Sequence, residues 1–253
     1  MAESAVASRV FLPLAHGAAK ELFDPALTGK IAAPGMLPVA TEQYRRLAAI
    51  LHHGQHDTGL RVVMVTSAIS GEGKSLTTTN LALTLTRSYE RRVLLIDADL
   101  RRPTLHLIFQ LENVRGVNEF VQSRGTKPLH LVPVAPRLFL LPAGRPDSDP
   151  LGALTSETMR RIVAEARDQF DWVLIDTPPI GLLPDAGLLG GIVDGALLVV
   201  RAGHSPYDLI KRAVESVGRE RILGVVFNGA DTSRRYGNDY YGYYGKSNYG
   251  KSR

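Results

Sequence analysis

The chain lacks cysteine altogether, has a single tryptophan and contains no long apolar run. Without cysteine it cannot form disulfides, thiolate zinc sites or a cysteine nucleophile, and the composition suits a reducing compartment. Apolar runs such as 62–65 and 196–200 are far shorter than the roughly 20 residues of a membrane-spanning helix, and the N-terminus does not resemble a signal peptide. We therefore expect a cytoplasmic protein whose core holds without covalent cross-links.

The tyrosines are concentrated at one end of the chain. Six of the nine lie in the last eighteen residues, where a glycine recurs every few positions and no apolar period is present. This composition predicts a mobile and accessible basic tail over residues 231–253. One reading of the tail is a segment that stacks on nucleic acid or on a partner protein. The six tyrosines are Tyr236, Tyr240, Tyr241, Tyr243, Tyr244 and Tyr249.

Residues 41–230 have the pattern of one folded domain, preceded by an extension over residues 1–40 that lies on the domain or is partly disordered. A helix is expected from Thr41, which would cap it. Continuous apolar runs separated by amphipathic stretches predict strands that are buried on both faces and joined by helical crossovers. The fold is therefore predicted to be α/β, with a single doubly wound, mainly parallel sheet flanked by helices. The predicted strands are 61–66, 93–96, 129–134, 138–141, 172–175, 196–200 and 222–227, and the predicted helices include 77–87, 154–166 and 205–217.

The segment AISGEGKS at 68–75 follows the first predicted strand and opens a helix, which is the setting of a phosphate-binding loop. Gly71 and Gly73 let backbone N–H groups turn toward phosphate oxygens, and the helix N-terminus adds partial positive charge. Lys74 is placed to reach the β- and γ-phosphates, and the hydroxyl of Ser75 suits Mg²⁺. Ala68 replaces the first glycine of the usual pattern, which still permits a tight turn at negative φ. The loop residues predicted to hold the nucleotide are Ser70, Gly71, Glu72, Gly73, Lys74, Ser75 and Leu76.

Acidic residues end two of the predicted strands. Asp97 and Asp99 follow one strand and Asp176 follows another, at the edge where open α/β sheets bind ligands. Each aspartate alone is explained equally well as a helix cap, but three strand ends that converge by topology favour a shared Mg-nucleotide site. Asn228 ends the last strand, where it either contacts the nucleotide base or forms a turn.

Three of these segments together carry a family resemblance. Segments 66–75, 94–103 and 173–179, with the tyrosine cluster, resemble the Walker A, A′ and B motifs of the bacterial tyrosine kinases of capsule and exopolysaccharide biosynthesis, relatives of the MinD/ParA ATPases. The likeness spans about residues 38–253. Ile69 stands where MinD/ParA proteins carry a signature lysine, which favours the kinase branch.

The resemblance implies an ATP- and Mg²⁺-dependent protein-tyrosine kinase that phosphorylates its own tyrosine cluster and regulates polysaccharide polymerisation and export. It assigns the acceptance of the tyrosine proton to Asp97. Asp99 and Asp176, with Ser75, would hold Mg²⁺, and Lys74 would offset charge on the phosphates. Arg101 and Arg102 either add to that offset or pair with carboxylates. The six tail tyrosines named above would be the phosphate acceptors.

The resemblance also implies partners: a separate Wzz-like membrane protein as activator, which would recruit the chain to the inner face of the membrane, and a phosphotyrosine phosphatase. No nucleic-acid partner is expected. A homo-oligomer is possible by resemblance, but the family's E-x-x-R-x-x-R helix keeps only Glu42 and Arg45 here and has Ala48 at its last position. This departure argues against the family's ring and leaves open a smaller or a partner-dependent oligomer.

Two other functions fit the residues. One is a MinD/ParA-like ATPase switch without kinase activity, and the other is a non-catalytic binding module that uses its Tyr/Gly tail.

His52, His53 and His56 are expected in a polar loop after the first helix, where a zinc site is the less favoured interpretation of their spacing.

Overall fold

The structure is a computed structural model that describes residues 10–11, 22–32, 36–126, 129–146, 150–180, 189 and 191–230. Its seven strands are β1 (Val62–Ser67), β2 (Val93–Asp97), β3 (Val132–Ala135), β4 (Leu138–Leu141), β5 (Trp172–Asp176), β6 (Gly195–Arg201) and β7 (Ile222–Asn228). They form one sheet in the order β3-β4-β2-β5-β1-β6-β7. Every neighbouring pair is parallel except β3 and β4. The prediction of a doubly wound, mainly parallel sheet is confirmed.

Helices cover both faces of this sheet, and each face has its own apolar cluster. The strands β1, β2 and β5 are buried along their whole length, which is why their sequences are continuous apolar runs rather than alternating ones. No helix among the described residues is both long and apolar enough to cross a membrane. The helices are α1 (Pro38–Thr58), α2 (Lys74–Tyr89), α3 (Leu105–Ile108), α4 (Val117–Gln122), α5 (Pro150–Thr155), α6 (Glu157–Gln169) and α7 (Tyr207–Val217), with 3₁₀ turns at Pro25–Leu27 and Arg219–Arg221.

The first helix differs from its prediction at both ends. It begins at Pro38, whose fixed φ suits the first turn, and the hydroxyl of Thr41 donates to the Leu37 carbonyl instead of capping the helix. The three histidines lie inside α1, not in a loop after it. The imidazole of one of them, His52, stacks on Tyr89 with ring centroids 4.4 Å apart.

The predicted helix 154–166 is two helices that meet at Ser156. This residue has extended backbone geometry, so the chain turns there, and its hydroxyl accepts a hydrogen bond from the Met159 N–H and caps α6. The predicted strand 129–134 is shorter than expected at its start, since β3 begins at Val132, while Leu129 forms an isolated bridge with Phe11.

The part of the N-terminal extension that is described lies on the domain. We call residues 22–32 the N-terminal strap. The buried side chain of Asn80 on α2 accepts from the Ala32 N–H at 2.7 Å and donates to the Lys30 carbonyl at 2.9 Å. The strap also reaches α3, where the Asp24 N–H donates to the Ile108 carbonyl at 3.0 Å. It therefore ties together the two helices that follow the Walker A and A′ motifs.

The position that departs from the oligomerisation motif faces inward. Ala48 on α1 is fully buried among apolar residues, whereas Glu42 pairs with Arg45 and Arg46 on the exposed side of the helix. An arginine at position 48 would have to displace part of the core, so alanine at this position suits the packing of α1 on the domain.

Candidate functional site

The phosphate-binding loop joins β1 to α2, as the motif predicts. Gly71 and Gly73 have φ of 82° and 91°, which residues with a side chain rarely adopt. A Cβ at Gly73 would also overlap the side-chain amide of Asn228, whereas a Cβ at Gly71 would meet nothing within 4 Å. Ser70 is exposed at the tip of the loop and Leu76 is half-buried in the first turn of α2. The loop therefore has the geometry that a phosphate nest requires.

Lys74 lies at the centre of an acidic cluster. Its Nζ is 3.1 Å from Oδ2 of Asp99, and the two side chains are only 13% and 6% exposed. Burial acts to lower the pKa of Lys74, but the neighbouring carboxylates of Asp176 and Asp99 raise it overall above its ordinary value. Lys74 is therefore a firmly charged ammonium group held beside the loop.

Asp97 and Asp176 are direct neighbours on adjacent parallel strands, since they pair in register at the ends of β2 and β5. Both are fully buried. Asp97 Oδ2 accepts from the N–H groups of Thr104 and Leu105, each at 3.0 Å, and its Oδ1 accepts from the Asp99 N–H at 3.2 Å. Burial, together with the charge of Asp176, raises the pKa of Asp97 to about 8 despite these hydrogen bonds.

Asp176 has less support. Neither of its buried carboxylate oxygens has a well-formed hydrogen bond among the described residues, although the nearby Ser75 hydroxyl partly stabilises the charged form. Burial raises its pKa to about 6, against the lowering effect of Lys74 and the Ser75 hydroxyl. Buried acceptors without donors are expensive, and a hydrated cation would satisfy them.

The residues fit a magnesium ion held largely through its waters. Ser75 and the carboxylates of Asp99 and Asp176 are the hard oxygen donors that Mg²⁺ prefers. Within the described part of the chain, no three His, Asp or Glu side chains are grouped closely enough to hold a metal by themselves. The hydroxyl of Thr104 donates to that of Ser75 at 2.8 Å, which links the Walker A′ segment to the phosphate-binding loop.

Comparison with known proteins identifies the family of this site. The model of the CobQ/CobB/MinD/ParA nucleotide binding domain matches residues 63–243. Tyrosine-protein kinase YwqD of Bacillus subtilis is 35% identical over 208 residues, covering 81% of this chain and 86% of that protein. The chain belongs to the bacterial tyrosine kinase family. Tyrosine-protein kinase CpsD of Streptococcus agalactiae is 31% identical over 191 residues, 74% of this chain and 82% of that protein.

A solved structure gives the same family. The kinase domain of the Escherichia coli tyrosine kinase ETK superposes on this kinase chain with a TM-score of 0.71 and 26% identity, covering 84% of each. The fold, the nucleotide-binding character and the kinase branch expected from the motifs are thus confirmed.

Several predicted site residues of the kinase have structural contacts that the sequence did not indicate. Glu72, expected to contact the nucleotide, has a fully buried side chain that accepts from the Ile69 N–H at 2.8 Å and from the Ser205 hydroxyl. Asn228, expected to read the base or form a turn, donates from Nδ2 to the Glu72 carbonyl at 2.8 Å. Arg101 is exposed, two residues after Asp99 in the chain.

No sequence pattern indicated a role for Thr104, Arg201 or Ser205. Thr104 directly follows the Walker A′ segment 94–103, so its position could have indicated it, whereas nothing local marks Ser205, whose contact with Glu72 spans 133 residues. The tail tyrosines, Tyr236 to Tyr249, lie outside the described residues.

Proposed function

We propose that this chain is an ATP- and Mg²⁺-dependent protein-tyrosine kinase that phosphorylates its own C-terminal tyrosines. One observation carries the proposal: a charged lysine of the phosphate-binding loop lies 3.1 Å from Asp99, beside two buried carboxylates at the ends of β2 and β5. Such a cluster of buried charges destabilises the fold when no ligand is bound, and it suits a site that binds phosphates and a cation.

Each residue then has a separate role. The backbone N–H groups of the loop and Lys74 bind the β- and γ-phosphates. Mg²⁺, when bound, neutralises phosphate charge, and Ser75, Asp99 and Asp176 would hold it directly or through its waters. Arg101 is exposed and follows Asp99 by two residues, and we assign it to meeting negative charge on the phosphates or on an incoming substrate.

The transfer step needs a base for the tyrosine. The phenolic oxygen forms a bond to the γ-phosphorus as the bond to the β–γ bridging oxygen breaks, and ADP leaves with that electron pair. The phenolic proton passes to Asp97. The raised pKa of Asp97, about 8, lies near the operating pH, where a general base is most effective.

We further propose that residues 41–230 form the kinase domain and that residues 231–253 form the acceptor tail, with Tyr236, Tyr240, Tyr241, Tyr243, Tyr244 and Tyr249 as acceptors. Each phosphate adds a charge of about −1.5 to −2, so full modification reverses the +5 formal charge of the chain. In the cell the kinase would regulate capsule or exopolysaccharide polymerisation and export, recruited from the cytoplasm to the membrane by a separate Wzz-like activator and reset by a phosphotyrosine phosphatase.

The test is a phosphorylation assay on the purified full chain with Mg-ATP, with and without a candidate membrane activator, with phosphate mapped by mass spectrometry. Tail phosphotyrosine should form in the wild type and fall at least about 100-fold in Lys74→Met and Asp97→Asn. Lys211→Met is the matched control, because Lys211 is an exposed lysine of α7 whose ion pair in the described part of the chain is with Glu215 at 4.0 Å.

The alternatives give different results. ATP hydrolysis with an unmodified tail would identify a nucleotide-dependent switch. No nucleotide binding or hydrolysis at all would identify a binding module. If Lys211→Met lost as much activity as Lys74→Met, the assignment of the active site to the phosphate-binding loop would be wrong.

A further inference from the structure

The carboxylate of Glu72 belongs to the phosphate-binding loop, and the groups that it contacts lie within the loop and near the end of β6. It is fully buried. Its Oε2 accepts from the Ile69 N–H at 2.8 Å, while Oε1 accepts from the Ser205 hydroxyl and, at 3.4 Å, from the Arg201 N–H. Its donors among the described residues come from the loop itself, from the last residue of β6 and from the turn after that strand. The Glu72 side chain therefore links the phosphate-binding loop to the end of β6 through buried hydrogen bonds.

Two further hydrogen bonds hold the backbone of the same loop. The Asn228 Nδ2 donates to the Glu72 carbonyl at 2.8 Å, and the Arg201 Nη1 donates to the Gly71 carbonyl at 3.3 Å. We call Glu72, Arg201, Ser205 and Asn228 the glutamate clamp. It ties the ends of β6 and β7 to two successive peptide units of the loop.

The direction of these bonds matters for anion binding. In a trans peptide the C=O and the following N–H point in opposite directions. A carbonyl of Gly71 held toward β6 therefore directs the Glu72 N–H the other way, and a carbonyl of Glu72 held toward β7 does the same for the Gly73 N–H. These are loop N–H groups of the kind that cradle phosphate oxygens.

We propose that Ser205 and Glu72 are positioning residues for nucleotide binding: the Ser205 hydroxyl orients the buried Glu72 carboxylate, and this carboxylate fixes the turn of the loop through the Ile69 N–H. With the turn fixed, the bonds from Arg201 and Asn228 to the Gly71 and Glu72 carbonyls keep the loop N–H groups in their phosphate-binding directions. The proposal rests on the proposed function only in that the loop binds a nucleoside di- or triphosphate. Neither residue touches the reacting atoms. Their loss should therefore weaken nucleotide binding and leave the transfer step of the bound complex nearly unchanged.

Ser205→Ala is the principal test, with Ser205→Thr as the conservative rescue because threonine keeps the hydroxyl. The dissociation constant of Mg-ADP is measured by calorimetry on the full chain, and KM and kcat for ATP are measured in the phosphorylation assay. Ser205→Ala should raise the dissociation constant and KM about tenfold, the equivalent of one hydrogen bond to a charged group. Ser205→Thr should stay within about threefold, and kcat should change less than about threefold in both.

Two more variants complete the test. Glu72→Gln keeps the shape but turns one acceptor into a donor, and it should weaken Mg-ADP at least as much as Ser205→Ala. Glu215→Gln is its matched control on the exposed face of α7, and its Mg-ADP affinity should equal that of the wild type. Arg201→Met removes only the bond from an exposed side chain to Gly71, so the fold should persist and affinity should fall about threefold.

A merely structural clamp would lower the melting temperature while the folded variants bound Mg-ADP normally. Wild-type affinity in Ser205→Ala, or in Arg201→Met if Ser205→Ala does not fold, overturns the proposal. Failure of the wild type itself to bind Mg-ADP would instead overturn the proposed function, so the two outcomes are distinct.

Discussion

On one flank of the phosphate-binding loop, the ends of β2 and β5 bring three buried carboxylates around Lys74; on the other, the ends of β6 and β7 bring donors that each meet an acceptor. On the first flank the carboxylate of Asp176 has no well-formed hydrogen bond among the described residues, and the pKa values of Asp97 and Asp176 are raised. On the second, the buried carboxylate of Glu72 has hydrogen bonds to both oxygens.

The difference teaches how one loop serves two purposes. The acidic flank contains carboxylates whose charged form is destabilised by burial, which is typical of a site that binds a ligand of opposite charge. The glutamate clamp is already complete and gives the loop its shape. Buried polar groups that are fully paired rigidify a structure, whereas those left unpaired are retained for function.

The largest expected loss of nucleotide affinity comes from adding a side chain between Gly73 of the loop and Asn228 of the clamp. Gly73→Ala places a Cβ against the Asn228 amide at a φ of 91°, so the affinity for Mg-ADP should fall about 100-fold by calorimetry. Gly71→Ala is the matched control, because it carries the strain of φ 82° without a steric overlap and should lose only about tenfold. Equal losses in the two variants would show that the contact with Asn228 does not matter.

Removing a charge from the acidic flank should have two opposite effects. Asp176→Asn removes the charge of a buried carboxylate that has no well-formed hydrogen bond in the described part of the chain, so the nucleotide-free protein should become more stable by roughly 2 kcal/mol at pH 8, several degrees in melting temperature. The Mg²⁺-dependent part of nucleotide affinity should fall in the same variant. Asp168→Asn, on the surface of α6, should change neither.

The sign of this effect with pH follows from the raised pKa. The folded protein holds the Asp176 proton up to about pH 6, whereas the unfolded chain releases it near 3.8, so the wild type loses stability as pH rises between these values. The advantage of Asp176→Asn should therefore be full above about pH 6 and absent below about pH 4. Thermal melts in EDTA across this range would contradict the burial argument if the advantage were constant.

A smaller effect is expected at the N-terminal strap, which lies against the helices of the acidic flank. Asn80→Ala leaves the buried Ala32 N–H and Lys30 carbonyl without their partner and should reduce the free energy of unfolding by about 1–2 kcal/mol in urea titrations. Thr28→Ala in the same strap loses only an exposed hydroxyl contact with Pro25 and should change it by less than about 0.5 kcal/mol. A loss in Thr28→Ala as large as in Asn80→Ala would mean that Asn80 is not the anchor.

The smallest effect should come from a surface charge on neither flank. Lys211→Met breaks an exposed ion pair of 4.0 Å and should alter the free energy of unfolding by less than about 0.5 kcal/mol in urea titrations. Its Mg-ADP affinity should equal that of the wild type. A clear loss of affinity would mean that the α7 surface is coupled to the loop more widely than through Ser205.

Much of the fold was predictable because its signals are local. Seven apolar runs became seven strands, and the continuous runs of β1, β2 and β5 became strands buried on both faces. The errors arose where tertiary contacts override a local pattern. Thr41 can cap a helix, but Pro38 begins this one earlier, and the histidines continue the helix because His52 packs on Tyr89.

The amino-acid sequence by itself determined the phosphate-binding loop, the acidic strand ends and their meeting at one edge of the sheet, because parallel strands place their carboxyl ends together whatever the details of packing. Only the tertiary structure decided how those groups are paired. Asp97 and Asp176 share a register, Thr104 contacts Ser75, and Ser205 contacts Glu72 across 133 residues. Hydrogen bonds and desolvation depend on distances of a few ångströms between remote segments, which no local pattern specifies.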